Sequence, residues 1–184
     1  MNAVDATLMG LCYENGYEPV SKDAPKNIRA AVSRFFEENT DEEAPHAGLI
    51  RNWQPSRRTE VAARITLAAT GSKKHPSFTI ADAGEGQTPD SMPDTLLSLS
   101  RTNKMRIPFV QGKFNMGGTG VFKFCGVQNL QLVISKRNPK ALKGYNQDAT
   151  KWGFTVVRRE DPERGRRSSV FTYLAPLGKE EMPG

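Results

Sequence analysis

A chain of 184 residues is long enough to bury one substantial core, and its 37% hydrophobic and 25% charged residues describe a polar globule. No run approaches the ~18 apolar residues of a spanning helix and no secretory leader opens the chain, so a cytoplasmic protein without a membrane partner is expected. The formal charge of +6 suits a polyanion, either nucleotide phosphate or nucleic acid, while Cys12, Cys125, His46 and His75 are too few for a disulfide framework or a spaced metal-ligand set.

Residues 2 to 13, NAVDATLMGLCY, carry Val4, Leu8 and Leu11 at helical spacing, and Gly16 is placed to stop the helix. The helix begins at residue 2 with no lead-in, which reads as a piece of a longer protein. A second helix is expected over 24 to 39, with Asp23 as N-cap, Pro25 in its first turn and Ile28, Ala31, Val32, Phe35 and Phe36 along one face. After an acidic loop, EVAARITLAATG (60 to 71) and HPSFTIADAG (75 to 84) read as an antiparallel pair turning at GSKK.

Residues 87 to 116 contain two Pro-Asp pairs and a short helix candidate at PDTLLSLS; a connection of this length suits a lid or binding loop. NLQLVISKRN, WGFTVVRRED and SSVFTYLAPL then alternate as strands, and the tail KEEMPG is expected to be disordered. The order predicts an α+β fold: a two-layer sandwich, with helices on one face of a mixed, mostly antiparallel sheet. One domain is expected over 1 to 178, with an insertion at about 16 to 60, a lid at about 87 to 120 and a tail at 179 to 184.

Two glycine clusters carry the chemistry. In FTIADAGEG (78 to 86), Asp82 at a strand end stands at a pocket wall, while Gly84 and Gly86 let a flat ring approach the backbone. An ionised carboxylate there accepts from adenine's amine and repels guanine's oxygen; the competing reading is a tight turn with a solvated acid. In GKFNMGGTGVFKFCG (112 to 126), Gly117, Gly118, Thr119 and Gly120 open a helix whose backbone N–H groups suit phosphate, against the alternative of an ordinary glycine-rich loop. Walker, Rossmann, kinase and nucleophile-elbow signatures are all missing.

NAVDA on a helix, DAGEG after a strand and GKFNMGGTG before a helix, in that order, resemble the GHKL ATPases: gyrase B, the ninety-kilodalton heat-shock chaperones, sensor histidine kinases and MutL. The resemblance spans about residues 2 to 174, carried closely by those three stretches. It implies the Bergerat ATP-binding fold, ATP and Mg²⁺ as ligands, and lid closure coupled to a partner copy or an adjoining domain. Asn2 would coordinate Mg²⁺ with Asp5 nearby, Asp82 would take the adenine amine, and Gly84 and Gly86 would shape the base pocket. Gly117, Gly118, Thr119 and Gly120 would wrap the phosphates, and Ser168, with Thr172 second, would support the adenine-binding acid. The long insertion and the aromatic VFKFCG look more like the chaperone, MutL and topoisomerase branches.

Hydrolytic members carry a water-activating glutamate four residues before the metal-binding Asn, a position that falls ahead of Met1, so nucleotide binding with very slow turnover is expected. The rival DAPKNIRAA would place Asp23 four before Asn27, but Pro25 intervenes. Lys104 and Lys113 are cations able to screen a triphosphate, with solvated side chains as the alternative. The basic turns KRNPKALKGY and RREDPERGRR leave open a different class, a non-enzymatic basic module that binds nucleic acid.

Overall fold

The computed structural model describes residues 2–38, 41, 44–95, 104–112, 117–142, 147–162 and 168–173. Its central element is α1 (Asn2–Glu14). Every residue from Thr7 to Cys12 is buried, so the helix is enclosed on all sides through its middle, although Val4 is exposed. Gly16 ends it as the sequence suggests: at φ +82° it donates to Tyr13 O at 2.9 Å, and Tyr17 N reaches back to Cys12 O at 2.9 Å. This is the Schellman arrangement, in which a left-handed residue satisfies the last helical carbonyls.

Helix α2 (Ile28–Phe36) packs Ala31, Val32 and Phe35 against Leu8, Met9, Leu11 and Cys12 of α1. It starts later than the pattern predicted. Asn27, not Asp23, is the N-cap, with its side-chain oxygen accepting from Ala30 N at 2.9 Å. Ile107, Phe109 and Val110 complete this core, so the segment 104–112 lays three side chains into the interior while Met105, Arg106, Pro108 and Gln111 stay exposed. The chain beyond α2 is tied back by Glu37, whose carboxylate accepts from Gly48 N at 2.9 Å and Trp53 Nε1 at 2.6 Å, while Trp53 meets Phe36 edge-on.

The stretch read as a strand from residue 60 begins instead as α3 (Pro55–Ala62), with Pro55 in its first turn. The strand proper is β1 (Ile65–Ser72), paired antiparallel with β2 (His75–Asp82) across the Lys73-Lys74 turn. Ile65 stands opposite Asp82, Leu67 opposite Ile80 and Ala69 opposite Phe78, so one face of the hairpin is apolar and ends at Asp82. Within PDTLLSLS, residues 93 to 95 form turns after the short 3₁₀ turn Pro89–Ser91, and the remainder lies outside the described residues.

The second glycine cluster gives α4 (Gly117–Gly120), a single turn that tightens into 3₁₀ geometry over Val121–Phe124. Three glycines in four residues supply little helix propensity, which keeps it short. The remaining strands are β3 (Leu130–Lys136), β4 (Trp152–Glu160) and β5 (Val170–Tyr173), an antiparallel sheet in the order β3-β4-β5. Its inner face buries Thr155 and Val157, and Phe171 packs edge-on against Phe122; its outer face exposes Leu132, Ile134, Trp152 and Phe154. The α+β class therefore holds. Where one mixed sheet was expected, the described strands form two sheets with antiparallel pairing throughout.

Candidate functional site

Helix α1 touches both glycine clusters. At the first, Ala83 N extends the hairpin ladder to Arg64 O at 3.0 Å, and the chain then turns onto the helix, where Glu85 N donates to Ala6 O at 2.9 Å. Gly84 lies flat against the backbone of Ala6 and Gly10; a Cβ on Gly10 would stand 2.7 Å from the Gly84 carbonyl carbon. Two glycines therefore allow the turn and the helix to meet backbone to backbone. Gly86, at φ +59°, is seated against the Lys136 carbonyl, where a side chain has no room.

At the other end, Asp5 is fully buried, and its two carboxylate oxygens accept from Gln111 N at 3.0 Å and Gly112 N at 2.7 Å. Asn2 sits one turn earlier. A Cβ on Gly112 would stand 2.6 Å from Asn2 Oδ1, and one on Gly117 would stand 3.5 Å from Asn2 Nδ2. The two glycines bracket the Asn2 amide and keep the space around it open. This cradle fits a role for Asn2 as an oxygen ligand to a hard cation such as Mg²⁺, which keeps phosphate and water oxygens as its other ligands. Among the described residues no cluster of three His, Cys, Asp or Glu could hold a metal unaided.

Asp82 is exposed at the end of the apolar hairpin face, with Oδ1 accepting from Gly84 N at 3.1 Å. Protein crowding the carboxyl raises its pKa above 3.8, a shift that the Gly84 N–H and the Lys104 charge oppose. Glu85, by contrast, is buried and paired to Arg137 at 3.0 Å. Burial raises its pKa, against the charge and hydrogen bond of Arg137.

The structure thus brings Asn2, Asp5, Gly84, Gly112 and Gly117 onto one helix, with Asp82 at the start of the turn that meets it. Lys113 lies outside the described residues. Gly118 and Thr119 belong to the short α4, and Gly120 faces open space. Ser168 is exposed ahead of β5, and Thr172 Oγ1 donates to Glu160 Oε1 at 3.4 Å and to Arg158 O at 3.5 Å, both on β4. Asn27 is occupied as a helix cap, which removes the rival metal placement.

Sequence reasoning missed Gly10, Tyr13, Glu85 and Arg137. A glycine in mid-helix costs about 1 kcal/mol relative to alanine, and that cost was the available signal for Gly10. Among the described residues of the basic clusters, Arg137 turns inward to Glu85, Arg159 pairs with Asp161 at 3.1 Å and Lys136 lies over the Trp152 ring. No helix there is long and apolar enough to cross a membrane. Comparison with protein-family models, curated proteins and solved structures finds no match to this chain.

Proposed function

We propose that the chain is a Mg²⁺-dependent ATP-binding module of the GHKL kind. The observation that carries the reading is the convergence of both glycine clusters on α1: Gly84 against Ala6 and Gly10, and Gly112 and Gly117 around Asn2. Adenine would lie along the apolar face of Ile65 and Ile80, with its amine donating to Asp82. The triphosphate would run toward Asn2, where Mg²⁺, when bound, neutralises phosphate charge. Asp5 fixes backbone at this site rather than water, since each of its oxygens already accepts an N–H.

The lid expected over about 87 to 120 would have to close around an anchored stretch, since Ile107, Phe109 and Val110 are held in the core and Gln111 and Gly112 are bonded to Asp5; its closure would change contacts with a second copy or an adjoining domain. Calorimetric titration tests the reading. Mg²⁺-ATP binds and Mg²⁺-GTP binds at least tenfold more weakly, because the guanine oxygen faces a carboxylate; Asp82→Asn erases that preference. Equal affinities for the two nucleotides in the unmodified chain contradict it.

A further inference from the structure

The residue between the two glycines of the DAGEG turn is buried, although Asp82 ahead of the turn is exposed. Glu85 is 2% exposed, and Arg137 reaches it from beyond β3, with Nη1 3.0 Å from Glu85 Oε2 and 2.9 Å from Gly86 O. The other arm of the guanidinium donates to Tyr13 Oη at 3.2 Å, and the group lies 5.2 Å from the Tyr13 ring centre. Asn138 adds a second grip, donating from its backbone to Glu85 O at 2.9 Å and from its side chain to Glu14 Oε1 at 3.1 Å. The turn is therefore held between α1 and the exit of β3.

The β1–β2 ladder places the Asp82 backbone, but its Oδ1 accepts from Gly84 N, so whatever fixes the two-glycine turn also fixes the aim of the carboxylate. A buried ion pair is a poor device for stability alone, because desolvation offsets its attraction, but its fork geometry imposes direction. We infer that Arg137, acting through Glu85 and anchored on Tyr13, is a positioning residue that sets adenine selectivity at Asp82. The inference rests on the ATP-binding reading above and adds a determinant to it.

The experiment compares affinities for ATP, inosine triphosphate and inorganic tripolyphosphate in the full chain and in Arg137→Met, Arg137→Lys and Tyr13→Phe. Inosine replaces the adenine amine with an oxygen, and tripolyphosphate has no base. Arg137→Met lowers the ATP-to-inosine preference about tenfold while tripolyphosphate affinity stays within about twofold. Arg137→Lys keeps the charge without the fork and falls between. If the preference persists in Arg137→Met, or all three ligands weaken in parallel, Arg137 is merely structural and the inference is overturned. Should Arg137→Met fail to fold, Arg137→Lys and Tyr13→Phe decide by the same two outcomes, each with a smaller loss of preference expected. An unmodified chain with no preference for ATP overturns the ATP-binding reading itself, a result separate from any variant.

Discussion

Gly84 and Ala6 meet backbone to backbone, so that the turn after β2 and the first half of α1 form one surface. A Cβ on Gly84 would also stand 2.6 Å from Asp82 Oδ1. Gly84→Ala must therefore push the turn off the helix and displace the acid together. We expect a loss of about 1–3 kcal/mol, the usual range for overpacking a close contact. Chemical denaturation measures it, and ATP affinity should fall further than the stability change requires.

Asp5 joins positions more than a hundred residues apart through two backbone N–H groups. Asp5→Ala leaves both donors without their charged acceptor, at a cost on the order of 3 kcal/mol. Hydrogen exchange at Gln111 and Gly112 should accelerate more than exchange in α2. Unchanged protection at those two amides would show that other contacts hold the segment.

Glu37 gives the fold a dependence on acid. Burial opposes its ionisation, but the Gly48 N–H and the Trp53 indole outweigh burial and set its pKa below 4.5. The unfolded chain therefore takes the proton first as pH falls. The stabilising contribution is full above the unfolded value and disappears as pH drops through the lowered folded one. Between about pH 5 and pH 3, thermal midpoints of Glu37→Gln should decline less than those of the unmodified chain.

At Asp82 the sign is reversed. Its folded pKa lies above 3.8, so the native carboxyl protonates before an ordinary aspartate does, and stability falls slightly as pH rises through that interval. A protonated acid is a poorer acceptor for the adenine amine. Preference for ATP over inosine triphosphate should therefore weaken on acidification while pH is still above 3.8. Asp82→Asn should show no such dependence.

The strands were legible because their signal is local. Alternation from Ile65 to Ser72 and from His75 to Asp82, broken at Lys73-Lys74, specifies the hairpin and brings Asp82 to its end. The start of α2 was misread because Asp23 and Asn27 are both acceptable caps; the backbone at Asn27 is extended, and its side chain reaches Ala30. Residues 60 to 62 were assigned to a strand because the window opened after Pro55, the residue that marks the start of α3. Within the site, Asp82 and the glycines could be read from a strand end and a turn. Arg137 could not, since its partners Glu85 and Tyr13 lie 52 and 124 residues away and only the tertiary fold brings them together.

The most direct test of the central claim is a crystal structure of the chain with Mg²⁺ and a non-hydrolysable ATP analogue. The account predicts the adenine amine about 3 Å from an Asp82 oxygen, with the phosphates between Asn2 and Gly117. A base bound elsewhere, with Asp82 turned to bulk water, would contradict it.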